Sequence, residues 1–406
     1  MYLYRLVNAL AQRGHEVDVI HCVDSYRALS CREPDRHFPN HPNVTVHSLR
    51  SPLGFLSPLV AQQTGSSWPK TDRILEVLQS KRFDVIHYHN ISLFGPSVLQ
   101  IKPDYADFIK LYTTHEHWLV CPMHVLWKNN KRVCDKPDCL RCTLAFKRPP
   151  QWWRYTGLLE NCAGAIDAFL SPSWFTRRMH HERGFKKPIE VLPYFVPEQD
   201  LISCDAAPPH PKPYFLFVGR LEKIKGVETL FSVFRRYQHA DLLIAGTGNY
   251  EGELRSRAKE MTNVHFLGAL SHEQLRNLYR HAVALLVPSS CYEVFGIIII
   301  ESFLQRTPVI ARDLGGLSEV VEESQGGFLY RSDEQLLAAM ERLRTDPALR
   351  RQMGELGYQK YRERWNENAH MEIYFQVLEQ TARRKLGMVP WHQSERQTLR
   401  FLAPAN

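Results

Sequence analysis

The sequence predicts an α/β protein built on doubly wound parallel sheets, and three observations carry that expectation. Short apolar runs rich in β-branched residues alternate with amphipathic stretches along the chain. The alternation falls into two blocks separated by a polar, Pro-rich segment, and 406 residues are enough for two domains with a core each. Strand and helix in regular alternation give a parallel sheet covered by helices.

The chain opens MYLYRLVNALAQRGHEV, with Leu3, Leu6, Val7 and Leu10 at helical spacing, Arg5, Gln12 and Arg13 outside that stripe, and Gly14 as the stop. This pattern is not that of a signal peptide. EVDVIHCV, NVTVHSL, FDVIHYH, DFIKLYTTH, AIDAFLSPS and IEVLPYF follow as strands, with DRILEVLQS and WFTRRMHHER among the helices, so residues 1–196 form the first domain. Residues 197–212, rich in Pro and polar side chains, are the linker. The second block, 213–365, carries the strands YFLFVGR, DLLIAGTG, VHFLG, AVALLVPS, TPVIARD and GFLY, with capping boxes predicted at Ser271 with Gln274 and at Ser332 with Gln335. A long helix near Asn366–Lys385 and a patternless tail complete residues 366–406. A sheet of this class ordinarily begins on a strand, so an opening helix leads to the expectation that the first strand is absent.

Apolar content of 44% and charged content of 23% are those of an ordinary globular protein. A formal charge of +8 suits nucleic acid, an anionic membrane surface or a phosphorylated small molecule. The basic residues are scattered and form no nucleic-acid-binding motif, which sets nucleic acid aside. No apolar stretch approaches the roughly 20 residues of a membrane span.

The chemistry concentrates in the second block. In LVPSSCYEVFGIIIIESF, Glu293 and Glu301 stand at the two ends of a loop and helix start that follow a buried strand, where open α/β sheets bind ligands. The backbone N–H groups of Val294, Phe295, Gly296 and Ile297 would be donors at a helix N-terminus, which favours a phosphate. Glu301 would lie about 12 Å further along at roughly 1.5 Å per residue, and carboxylates accept hydrogen bonds from sugar hydroxyls. In FLFVGRLEKIKGVETL, Gly219 permits close approach, and Arg220 and Lys225 offer a guanidinium fork and an ammonium to a diphosphate. Gly246 and Gly248 form a Gly-rich turn after the next strand, which serves either ligand contact or tight packing. Gly315 and Gly316 precede another short helix.

Taken in order from Val218 to Tyr330, the Gly-Arg, gap, Lys-Gly loop, the Glu293 to Glu301 spacing and the Gly315–Gly316 turn resemble the retaining glycosyltransferases of family 4, also described as glycosyl transferases group 1. The resemblance implies the GT-B architecture, two Rossmann-like doubly wound domains facing a cleft. It implies a nucleotide-diphosphate sugar gripped by the second domain and a sugar transferred with retention. Arg220 and Lys225 would stabilise the leaving diphosphate, Glu293 would meet the sugar and Glu301 the ribose. Phe266 and Gly268 would supply backbone contacts to the base, and Gly315 and Gly316 would close the site near the sugar. His115, beside Glu116, and His89 match positions facing the cleft, whereas His87 and His117 read as structural neighbours. No catalytic divalent metal is expected. The acceptor would be a carbohydrate or lipid-linked intermediate of surface polysaccharide or glycolipid synthesis, held by a cytoplasmic protein with peripheral contact at the inner membrane face. The C-terminal helix would cross back onto the first domain. The family usually begins with a strand and a Gly-rich turn that this sequence does not show, so weakened stability is expected. A truncated, catalytically inactive nucleotide-sugar-binding protein is the alternative function.

Four of the nine cysteines, Cys121, Cys134, Cys139 and Cys142, fall in an insertion at 121–142. Their spacing allows tetrahedral ligation of a structural zinc. Free thiols are the alternative, with a disulfide less fitting for a protein working on nucleotide sugars in reducing cytosol.

Overall fold

The computed structural model describes residues 1–30, 39–200 and 207–391. Part of the linker (201–206) and most of the tail (392–406) therefore lie outside the described residues.

The second half is one six-stranded parallel sheet. Its strands are β9 (Tyr214–Val218), β10 (Asp241–Ala245), β11 (Val264–Gly268), β12 (Ala284–Val287), β13 (Val309–Arg312) and β14 (Gly327–Tyr330), in the spatial order β11-β10-β9-β12-β13-β14. The central strands are apolar on both faces because both faces are covered. Phe215, Leu242 and Leu286 pack against Val233, Phe234 and Met340 on one side. Leu216, Leu285 and Val309 pack against Ile299, Phe303 and Trp365 on the other. Ser271 and Gln274 form the predicted capping box. At Ser332 only half of it forms: the Ser332 hydroxyl accepts from the Gln335 N–H, but the Gln335 side chain reaches back to the N–H of Arg331 instead.

The first half is divided. Strands β1 (Val17–Cys22) and β2 (Val44–Leu49) form one parallel pair, and β3 (Val85–His89), β4 (Ile109–Thr113), β7 (Ala168–Ser171) and β8 (Ile189–Val191) form a second parallel sheet in that order. The short strands β5 (Trp127–Lys128) and β6 (Arg132–Val133) make a hairpin inside the Cys-rich insertion. β1 and β3 face each other across a cavity of about 160 Å³, lined by Ile20 from one side and Val85, His87 and His89 from the other. Among the described residues no strand bridges that gap. The consequence is visible in burial: all of β4 is buried, while all of β3 is half-buried.

The opening helix, Tyr2–Gln12, differs from the predicted stripe. Leu3 is exposed, whereas Arg5 is buried, because the helix is turned toward the second half, where Arg5 finds a carboxylate. At the other end of the chain, the helix Glu367–Leu386 lies on the first half. Arg384 donates to the Asp167 carbonyl at 2.7 Å and Lys385 pairs with the Asp167 carboxylate at 2.8 Å. No helix of the described residues is long and apolar enough to cross a membrane.

Candidate active site

The strand order reverses between β9 and β12, so a crevice opens there outside the carboxyl ends of the sheet. The loop after β9 supplies Lys225 and the loop after β12 supplies Glu293. They are fastened by the Ser290 N–H donating to the Ile224 carbonyl at 2.8 Å. Gly226 makes this possible: its φ is +70°, and a Cβ there would sit 2.2 Å from the Pro288 carbonyl oxygen. Lys225 Nζ then lies 2.7 Å from Glu293 Oε1, which also accepts from the Ser289 hydroxyl at 2.7 Å. Burial alone would raise Glu293, but the Lys225 ammonium and the Ser289 hydroxyl outweigh it and hold the carboxyl below its ordinary range. Burial would likewise lower Lys225, and Glu293 more than reverses that. The crevice therefore holds a fixed, fully ionised pair.

The flanking glycines support this pair from behind. The Gly316 N–H donates to the Glu293 carbonyl at 2.8 Å, and a Cβ on Gly316 would lie 2.7 Å from the Val294 carbonyl oxygen. Gly246 and Gly248 press on the loop of Gly219, where added Cβ atoms would meet the carbonyl oxygens of Gly219 and Leu221 at 1.9 and 2.3 Å. Of the two readings left open, tight packing is the one this geometry displays. The helix itself begins at Ile297, after Gly296, so Glu301 is helical and Glu293 is not. Phe295 is core, edge-on to Tyr194 and Trp365.

Two predicted ligand residues are engaged elsewhere. Arg220 extends into solvent with 75% of its side chain exposed and pairs with Glu222 at 2.9 Å. Glu301 accepts from Arg5 of the opening helix at 3.2 Å and from the Tyr279 hydroxyl at 3.3 Å. Periodicity placed Arg5 on the outer face, which is why the sequence did not disclose this contact.

The first half carries a histidine cluster at the carboxyl ends of β3 and β4. His89 Nδ1 and His115 Nε2 are 2.7 Å apart, and His115 Nδ1 is 2.6 Å from the Tyr194 hydroxyl. His87 belongs to the cluster rather than beside it, since its ring centre lies 4.0 Å from that of His89. It is hydrogen-bonded to Thr113 and to Tyr374 of the returning helix. Tyr2 covers the group, 5.3 Å from the His115 ring, and its hydroxyl meets His370 at 3.2 Å. Burial drives His87 and His115 down to about 3 and His89 well below its ordinary value, so the three imidazoles are neutral. Neutral imidazoles can hydrogen-bond sugar hydroxyls as donor or acceptor. His117 is also buried, but it faces His180 and not this cluster.

The two halves meet directly at the Glu293 loop. Ser173 and Thr176, at the start of the helix Trp174–Glu182, donate to the Val294 carbonyl at 2.5 and 3.0 Å. Glu319 in turn accepts from the N–H groups of Trp174 and Phe175 at 2.9 and 2.8 Å. Ser173, Thr176, Ser289, Tyr194 and Glu319 were not foreseen. Only Ser289, four residues before Glu293, carried a sequence signal, as a hydroxyl in the same loop.

Residues 199–360 match the family described as glycosyl transferases group 1, and residues 1–200 match glycosyltransferase family 4. The chain belongs to the group 1 glycosyltransferases. The fold is GT-B: over 93% of this chain and 92% of the other it is similar to sucrose-phosphate synthase from Thermosynechococcus elongatus, with a TM-score of 0.70 at 23% identity. It is similar as well to Anabaena HepE, solved in complex with UDP-glucose, with a TM-score of 0.60 at 18% identity over 82% of this chain and 85% of that one. Among curated relatives it is 32% identical over 154 residues to the alpha-D-kanosaminyltransferase of Streptomyces kanamyceticus, covering 36% of this chain and 39% of that protein. It is 34% identical over 142 residues to a glycogen synthase of Mycobacterium tuberculosis, covering 33% of this chain and 34% of that one. The shared stretch thus spans less than half the length of these relatives.

The cysteines of this glycosyltransferase do gather: Cys121, Cys134, Cys139 and Cys142 line one cavity of about 20 Å³ beside Trp127 and Asp138. The Asn129 N–H donates to Cys142 Sγ at 3.3 Å, and the Cys142 thiol donates to the Trp127 carbonyl at 3.8 Å. Burial raises Cys121 to about 11 and raises Cys139 and Cys142 as well, and neighbouring thiols add to each shift. A bound dication would reverse that repulsion. Among the described residues, however, the His, Cys, Asp or Glu group whose ligand atoms all lie within 4.8 Å of one another is a different one, His210, Asp241 and His265.

Proposed function

We propose that this chain transfers a sugar, with retention at the anomeric carbon, from a nucleoside diphosphate sugar to a carbohydrate or lipid-linked acceptor. The observation that carries this reading is the Lys225 and Glu293 pair at the crevice between β9 and β12. A charged, preorganised ammonium there suits the departing diphosphate, whose developing charge is the main thing such a reaction must stabilise. Glu293 fixes that ammonium and offers its second oxygen, Oε2, to sugar hydroxyls. Arg220, itself largely exposed and paired with the half-buried Glu222, can turn to the phosphate at little cost. Glu301 serves the ribose once Arg5 gives way. The neutral imidazoles of His89 and His115 face the sugar and the acceptor, and Gly315 and Gly316 close the pocket behind them. A structural zinc that drew the four thiols of the insertion together would brace the acceptor side. The +8 charge supports peripheral contact with an anionic membrane at the cytoplasmic face.

The test is release of nucleoside diphosphate from UDP-, GDP- and ADP-sugars, with the anomeric configuration of the product determined by NMR. Turnover that survives Lys225→Ala undiminished, or an inverted product, would overturn the reading. A second reading, nucleotide-sugar binding without turnover, is favoured by Tyr2 and Arg5, which occupy the histidine cluster and Glu301. Diphosphate release separates the two: a donor at 100 times its Kd adds about 2.7 kcal/mol of stability in either case, but only the transferase releases diphosphate.

A further inference from the structure

We infer that His210, Asp241 and His265 form a binding site for a divalent transition metal, zinc in the first instance, at the end of the second domain opposite the cleft. Asp241 opens β10, His265 is the second residue of β11, and His210 lies in the segment that leads into β9. These positions lie at the amino ends of β9, β10 and β11, whereas the Lys225 and Glu293 loops follow the carboxyl ends of β9 and β12 in the same parallel sheet, so the metal would be structural and the inference does not rest on the proposed transfer.

Both imidazoles converge on one oxygen. His210 Nε2 lies 2.7 Å and His265 Nε2 3.1 Å from Asp241 Oδ2, and the three ligand atoms fall within 4.8 Å of one another. The rings are tilted by 55° with centres 5.3 Å apart, splayed about a common point and not stacked. Zinc bonds of roughly 2.0–2.2 Å to nitrogen and carboxylate oxygen place neighbouring ligands a little over 3 Å apart, so small side-chain movements would close the set. Two imidazoles and a carboxylate are a donor set suited to zinc, with water free to take the fourth position. The Asp241 carboxylate is 4% exposed, which weakens competition from solvent, and Lys212 stands 3.8 Å from its other oxygen, Oδ1, leaving Oδ2 to the metal. A metal there would fasten the segment entering β9 to β10 and β11.

The full chain, stripped with chelator, is titrated with zinc alone and the bound metal counted by elemental analysis. His265→Asn is the first variant, because this side chain is the most exposed of the three at 38% and its loss disturbs the fold least. The expected result is one fewer zinc per chain than wild type, with unchanged circular dichroism. Cobalt(II) bound at this site should show ligand-field bands without the sulfur-to-metal charge transfer that the cysteines would give. His210→Asn should lose the same equivalent. Equal zinc stoichiometry in wild type and both variants would overturn the inference, as would cobalt spectra unchanged by either substitution.

Discussion

The two halves of the molecule are built from the same kind of strand and yet differ in completeness. In the second half β9 is hydrogen-bonded on both edges, covered on both faces and buried at every residue. In the first half β3 is as apolar at its start, but one edge looks across a cavity to β1 and the whole strand is half-buried. An apolar run supplies the potential for burial; neighbours on both edges realise it. The halves differ electrostatically too. The second half holds an ionised pair at its strand ends, whereas the first and the helix that returns to it hold neutral histidines.

The sharpest way to break this comparison is to remove the charge. Lys225→Ala should lower transfer by about 100- to 1000-fold, measured as diphosphate release, while His115→Ala, which removes a neutral group, should cost less. Equal losses would mean that the halves share the electrostatic work.

Acid should separate the halves next. His87, His115 and His117 are held at about 3 and His180 and His370 at about 4, all below the ordinary 6.5, and all lie in the first half or on the helix that returns to it. Because the unfolded chain binds these protons and the folded one does not, stability is complete above about pH 6.5 and is lost as pH falls toward those folded values. Each such group costs up to about 1.4 kcal/mol per pH unit. Glu293, depressed in the folded state, adds a loss only once pH falls below its ordinary range near 4.5. Tryptophan fluorescence and far-UV circular dichroism between pH 7 and pH 4.5 should show the first half loosening while β9 to β14 persist. Simultaneous loss would refute the division.

Packing gives a smaller contrast. Ile299→Ala, in a fully buried side chain of the second half, should cost about 2–5 kcal/mol in urea denaturation. Ile20→Ala, whose side chain already borders the cavity, should cost about 1 kcal/mol because little packed volume is lost. Smaller still is the dynamic difference in amide exchange, where β1 and β2 should exchange through partial opening at rates well above those of β9 and β10. Uniform protection would show that the gap has no energetic consequence.

Much of this was legible in advance. The apolar runs became β1 to β4 and β7 to β14, and the Lys225 and Glu293 loops fell at strand carboxyl ends, because burial periodicity is a property of consecutive residues. Arg220 and Glu301 were correctly located on the chain, but their partners were not. Glu222 competes for Arg220 only through the shape of one loop, and Arg5 reaches Glu301 across 296 residues. An absent strand in the first half was expected, but its place between β1 and β3 was hidden, since strand sequences specify faces and leave edge partners unstated.

By itself the sequence determined the alternation of strand and helix, the order of the cationic and acidic loops, and with them the family. Tertiary structure alone decided that Lys225 and not Arg220 meets Glu293, that three histidines from β3 and the loop after β4 share one neutral cluster, and that His210, Asp241 and His265 converge. The reason is physical: local pattern fixes which face of an element avoids water, whereas charge pairing and ligand convergence depend on distances set only when elements far apart in the chain are packed together.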